Sequence, residues 1–318
     1  MSNVSSMIEI RELTKSYGPY RAVDNISFQI RKGEVVGFLG PNGAGKTTTM
    51  KIITGFMPAT SGQALVAGFD VFENPLEVKK RIGYLPETPP VYGDMSVESY
   101  LRFVAKLKGV ESSSLKRLVE MAIEKTDLGS VRKRLIQNLS KGYRQRVGLS
   151  QALVSDPEVL ILDEPTVGLD PRQVAEVREL IKALAGQHTI ILSTHILPEV
   201  QASCERIIII NKGRIVAEDS LESLGRRKTA SARVHMRVAV SANLQDRLKT
   251  VPGVRTVQVK QNGVFEIDTD GSKDVTPALA AQAVHAGAGL LELREENFNL
   301  EDVFLKLTTS EETQGATV

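Results

Sequence analysis

The segment Gly40-Pro41-Asn42-Gly43-Ala44-Gly45-Lys46-Thr47 constrains the fold more than any other stretch of this chain. It fits the pattern G-x-x-x-x-G-K-[ST], follows the apolar run Val35–Leu39 and opens a helix-like stretch near Lys46. Glycines at 40, 43 and 45 let the backbone curl so that successive N–H groups converge on one point. The start of the following helix adds positive potential there. Such a cradle suits phosphate oxygens. Lys46 supplies a mobile charge for β- and γ-phosphates, Thr47 offers a hydroxyl to Mg²⁺, and Thr48 stands beside it in the binding loop. A strand that feeds a helix through this loop commits the chain to a layered α/β sheet.

The remaining pattern extends that sheet. Met7–Leu13 and Val23–Ile30 alternate as strands do, and Val159–Leu162, Thr189–Ser193 and Arg206–Ile210 are apolar runs, with a helical stretch from Pro171 to Ala185 between two of them. Alternating strands and helices predict a largely parallel sheet covered on both faces. Between Pro89 and Ser155 the period changes to that of a helix, with Tyr100, Phe103, Val104 and Leu107 at three- and four-residue spacing, which predicts a helical subdomain over about 89–155. The apolar runs are far shorter than the about 18 residues a membrane span needs, and Met1–Ser6 shows no signal peptide. With Lys+Arg at 40 and Asp+Glu at 38, net charge +2, no lopsided basic surface for nucleic acid is expected. A single cysteine, Cys204, excludes an intrachain disulfide.

Val159-Leu-Ile-Leu-Asp163-Glu164 is a buried strand that ends in two carboxylates. At the C-terminal edge of an α/β sheet, where ligands bind, such a pair needs a counter-charge. Asp163 is the natural partner of Mg²⁺, directly or through water. Glu164 is placed to orient or deprotonate a water that attacks the phosphate.

Four further segments carry a resemblance. Leu139-Ser140-Lys141-Gly142-Tyr143 resembles the signature of ATP-binding-cassette (ABC) ATPases, usually L-S-G-G-Q. Gly168-Leu169-Asp170 resembles the family's D-loop, Ser193-Thr194-His195 its switch histidine, and Tyr17 the aromatic on which adenine stacks. The resemblance runs from Met7 to about Leu221 with the motifs in order. It implies an ABC ATPase core over 7–224 that binds ATP and Mg²⁺ and hydrolyses ATP. It also implies a head-to-tail homodimer or pseudo-dimer in which Ser140 and the Gly142 backbone reach the partner's γ-phosphate. His195 then contacts the γ-phosphate, and Asp170 couples the two sites. Ser140 also reads as a plain helix cap, His195 as a packed loop residue, Tyr17 as a surface turn. Two positions depart from the family: Lys141 and Tyr143 replace Gly and Gln in the signature, and Glu87, in Ile82-Gly-Tyr-Leu-Pro-Glu87, stands where a glutamine is usual. Glu87 either joins the metal site or faces a membrane partner.

After the polar linker Gly225–Lys228, the order strand, helix, strand, strand, helix, strand predicts a small α+β, ferredoxin-like domain over 229–309. Asn262-Gly263 joins its middle strands as a hairpin turn. A polar tail, 310–318, closes the chain. The ending Asn299–Leu307, with Val303, Phe304 and Leu307 on one helical face, resembles ATPase subunits of ABC-2-type exporters. This implies a peripheral subunit on the cytoplasmic face of a bacterial membrane, energising an integral membrane permease, with no nucleic-acid partner. The competing class is a soluble ABC ATPase acting on ribosomes or DNA. The single phosphate loop and the lack of sustained heptads before the signature speak against it.

Overall fold

A computed structural model of the chain describes residues 6–221, 233–240, 244–270, 272 and 275–296. The chain divides into two compact units, 1–219 and 220–318. The linker 225–228, the segment Asn299–Leu307 and the tail lie outside the described residues.

In the first unit, β1 (Ser6–Tyr17) and β2 (Tyr20–Arg31) form an antiparallel hairpin, and β4 (Ser61–Val66) and β5 (Phe69–Asp70) complete a separate four-stranded sheet, ordered β2-β1-β4-β5. The first two strands thus stand apart from the parallel sheet. The alternation of buried and exposed residues over Ile26–Arg31 of β2 is the pattern of a sheet with one face on the core. The second sheet is built from β3 (Val35–Leu39), β6 (Ile82–Leu85), β7 (Val159–Asp163), β8 (Thr189–Thr194), β9 (Arg206–Asn211) and β10 (Arg214–Ser220). Its order is β10-β9-β3-β8-β7-β6, and the pairings β9-β3, β3-β8, β8-β7 and β7-β6 are parallel. Every residue of β3, β7 and β8 is buried, as strands covered on both faces require. Lys212 and Gly213, both with positive φ (46° and 81°), form the tight turn into β10.

Helix α1 (Lys46–Ile53) contacts both sheets and fills the space between them with Met50, Ile52 and Ile53. Phe28 of one sheet and Phe38 of the other meet there with ring centroids 5.6 Å apart. Each such side chain taken from water contributes about 1.5–3 kcal/mol.

After α2 (Pro75–Arg81), the stretch from Pro89 to Ser155 carries α3 (Val97–Leu107), α4 (Ser112–Lys125) and α5 (Lys141–Leu153), packed around their own core of Tyr100, Leu101, Val119, Ile123 and Val147. Of the periodic residues in α3, Tyr100 is buried but Leu107 is 71% exposed, at the C-terminal end of the stripe. α6 (Pro171–Leu184) and α7 (Leu197–Ser203) follow β7 and β8. Among the described residues no helix is long and apolar enough to cross a membrane.

The second unit holds β11 (Arg233–Val238), α8 (Leu244–Lys249), β12 (Val254–Val259), β13 (Val264–Thr269), α9 (Val275–His285) and β14 (Leu290–Glu296), in sheet order β12-β13-β11-β14. Its three described pairings are antiparallel. Asn262 and Gly263 take φ of 62° and 71° between β12 and β13. One face of the sheet buries Val234, Met236, Phe265 and Ile267 with Leu248 and Leu279 of the helices.

Candidate nucleotide site

Parallel register builds the site. Leu39 pairs with Thr194 and Asp163 with Ser193, so β3, β7 and β8 end level and discharge their loops at one carboxyl edge. Gly40 N–H donates to the Thr194 carbonyl (3.3 Å), which ties the glycine loop to the loop bearing His195. Gly45 caps α1 at φ 106°, and a Cβ there would stand 2.4 Å from the Ala22 carbonyl oxygen, so conformation and space both demand glycine. Lys46, 6% exposed, donates to the carbonyls of Gly40 (2.8 Å) and Pro41 (3.2 Å).

At the end of β7 the two carboxylates separate. Asp163 is fully buried and accepts from Ser193 Oγ (2.7 Å), while its Oδ2 has no hydrogen-bond partner. Burial pushes its carboxyl pKa up, against the pull of the Ser193 and Thr47 hydroxyls. Glu164 sits at φ +51°, a strained setting for a side-chain-bearing residue, and its N–H donates to the Ser193 carbonyl (2.8 Å). That turn aims its carboxylate back at the glycine loop. Lys46 Nζ lies 3.5 Å from Oε1, and His195 Nδ1 lies 2.9 and 3.0 Å from the two oxygens.

Lys46, Glu164 and His195 border a cavity of about 550 Å³, lined also by Tyr17, Tyr20, Asn42, Gly43, Thr47, Thr48 and Glu87; Asp163 lies outside that lining. A larger hollow of about 650 Å³ lies between α1 and β4, but no comparable set of cation, carboxylate and imidazole meets there. Chemistry, not size, locates the site. The Asp163 carboxylate, with Oδ2 unpartnered, and the Thr47 hydroxyl near it form a donor set of hard oxygens that suits Mg²⁺, a cation that takes few protein ligands and completes its shell with phosphate and water. Glu87 is exposed on the cavity wall.

The signature-like residues and Asp170 lie outside this lining. Ser140 caps α5 by accepting from Tyr143 N–H (3.4 Å). A Cβ on Gly142 would press within 2.5 Å of the Gln173 side chain, and the Lys141 side chain lies against Gly168. Asp170 caps α6 in a reciprocal box with Gln173. Three residues escaped the sequence reading. Tyr20 faces Tyr17 across the β1–β2 turn, and its hydroxyl donates to the Gly43 carbonyl (3.5 Å); the turn residues Gly18-Pro19 would have signalled the pairing. Gln145 (to the Pro165 carbonyl, 2.9 Å) and Glu199 are buried polar groups with no local sequence signal.

A family model described as "ABC transporter" matches residues 23–167. The bacitracin transport ATP-binding protein of Bacillus licheniformis is 34% identical over 312 residues, covering 96% of this chain and 98% of that protein. The Nod factor export ATP-binding protein I of Cupriavidus metallidurans is 33% identical over 310 residues, covering 97% and 99%. Linearmycin resistance ATP-binding protein of Bacillus subtilis is 32% identical over 306 residues, covering 95% and 98%. Among solved structures, an ATP-binding subunit of an ABC transporter superposes with TM-score 0.64 at 29% identity, over 70% of this chain and 93% of that one. Identity sustained along nearly the full length of such relatives, on a cassette fold whose loops converge at one sheet edge, makes this chain a member of the ABC transporter ATP-binding subunits, which are ATPases.

Proposed function

We propose that this subunit powers export through a membrane permease, binding MgATP with its own phosphate loop and hydrolysing it when a second ATP-binding subunit closes over the site. ABC transporter ATP-binding subunits work as dimers with a permease; here the second subunit is a further copy or a close paralogue, docked at the cytoplasmic face of a bacterial membrane. Export, rather than a ribosomal or DNA task, is supported by relatives matched along the whole chain and named for transport, resistance and export.

One observation carries the reading: Glu164 is held within 3.5 Å of Lys46 and 2.9 Å of His195 at the mouth of the glycine loop. In the proposal, the loop N–H groups of Gly43 and of Gly45 to Thr48 and the Lys46 ammonium bind the phosphates, and Tyr17 stacks on adenine. Glu164 takes the proton of the attacking water, while His195 orients it and contacts the γ-phosphate. Thr47 and Asp163 would hold Mg²⁺, which neutralises phosphate charge. Ser140, Lys141, Gly142 and Tyr143, with the α5 N-terminus, face the γ-phosphate bound by the other subunit, and Asp170 links the two sites.

Glu164→Gln tests the assignment. It should bind MgATP while turnover falls by about 10²–10⁴, and an ATP-dependent dimer should accumulate on gel filtration. Wild-type turnover in this variant removes Glu164 from the base role.

A further inference from the structure

Glu164 and His195 hang from loops that leave neighbouring strands β7 and β8. Beneath them lies a second connection that the reaction as described does not use. Glu199, in the first turn of α7, is 2% exposed. One carboxylate oxygen accepts from Thr166 Oγ1, and the other accepts from Thr194 Oγ1 at 2.8 Å. Thr166 follows Glu164 by two residues, and Thr194 immediately precedes His195. The chain from Glu164 through Thr166, Glu199 and Thr194 to His195 therefore closes on the Glu164–His195 contact as a ring.

A buried carboxylate is costly unless its lone pairs are used, and no ion pair to Glu199 occurs among the described residues. Its two acceptor oxygens meet two hydroxyl donors, a match that glutamine, with one acceptor oxygen, cannot repeat. Thr194 Oγ1 already accepts from Ile196 N–H (3.1 Å), which leaves its proton for Glu199. The same ring borders the left-handed turn at Glu164 (φ +51°), a conformation that persists only when its surroundings enforce it.

We propose that Glu199 is a positioning residue for hydrolysis, a clasp that fixes the Glu164 loop against the His195 loop so that base and imidazole address one water. The proposal rests on the reading of Glu164 as the base. Because it acts on geometry at the reacting end and not on phosphate binding, its loss should appear in kcat alone.

The test uses the full-length chain, with turnover of MgATP and calorimetric binding of MgADP. Glu199→Gln should lower kcat by about ten- to a hundred-fold, the scale of a misplaced reacting group, with the MgADP Kd unchanged within about two-fold. Thr166→Val should behave alike, and Thr166→Ser, which keeps the hydroxyl, should recover most of the turnover. In a Glu164→Gln background, Glu199→Gln should add less than about a two-fold loss, since the two act through one group. Should Glu199→Gln fail to fold, the Thr166 pair carries the same comparison. Near-wild-type kcat in Glu199→Gln and in Thr166→Val, beside a slow Glu164→Gln, overturns the clasp alone. A parallel loss of MgADP affinity and Tm, or a full further loss in the double variant, overturns it as well by assigning a general packing role. Wild-type turnover in Glu164→Gln overturns the base reading, and with it the purpose of the clasp.

Discussion

Replacing Gly40 by alanine isolates the geometry of the phosphate loop from its chemistry. A Cβ at this position would stand 2.4 Å from the Ile210 carbonyl oxygen and 2.9 Å from the Ile210 Cγ2. An ordinary contact starts near 3.4 Å, so about 1 Å of movement is needed. Ile210 belongs to the interior strand β9 and is fully buried, so the loop must give way. Moving Gly40 also moves the carbonyl that holds Lys46 at 2.8 Å and the N–H bonded to Thr194. Overpacking of this kind costs about 1–3 kcal/mol, a Tm drop of roughly 2–12 °C for a unit of this size. A 1 Å displacement beside the reacting groups costs about 10² in rate. Gly68→Ala is the converse control: Gly68, unlike Gly40, sits at positive φ (+81°) but faces open space, so it should lose about 1–2 kcal/mol to backbone strain and keep wild-type kcat. ATPase turnover and thermal melting of both variants decide the matter. Wild-type turnover in Gly40→Ala, or an equal loss in Gly68→Ala, refutes the steric account.

Three further outcomes are expected. Glu87→Gln should flatten the Mg²⁺ dependence of ATP binding and tighten metal-free binding, because it removes a charge that attracts the cation and repels the phosphates; titrations that coincide for wild type and variant, both with Mg²⁺ and without it, would assign Glu87 to the permease-facing surface. Tyr17→Ala should weaken MgADP binding by roughly ten-fold, within the about 1–3 kcal/mol of an aromatic–base stack, and a loss confined to Tyr20→Ala would move the platform to that residue. Ending the chain after Lys228 should leave nucleotide binding intact in a folded product, since no proposed phosphate contact lies beyond His195; loss of binding would contradict that division.

The parts of the fold legible in the sequence were those whose side chains carry a period or a fixed chemistry. β3, β7 and β8 are solid apolar runs because both of their faces are covered, and the Asn262-Gly263 turn is written in two residues that tolerate positive φ. Separation of β1 and β2 into their own antiparallel sheet was not visible, because alternation marks a half-buried strand without naming its neighbours. The phosphate loop and the Asp163-Glu164 end are local in sequence, and register then brings them together. Glu199 and Gln145 could not be read this way. Their meaning lies in hydrogen bonds to residues 33 and 20 positions away, Thr166 and Pro165 respectively, and an isolated Glu or Gln on a helix carries no sign that it is buried.

The single cysteine has a practical consequence. Cys204 is packed at the end of α7, and burial, reinforced by the nearby Glu199 and Glu205 carboxylates, pushes its thiol pKa well above the ordinary range. The thiolate is the nucleophile that attacks maleimides and similar reagents, so this buried thiol should react slowly at neutral pH. A cysteine introduced at an exposed site therefore takes up a maleimide or nitroxide label selectively, without first mutating Cys204. Paired labels on two copies of the chain then offer a spectroscopic ruler for subunit approach during the ATP cycle in otherwise native protein.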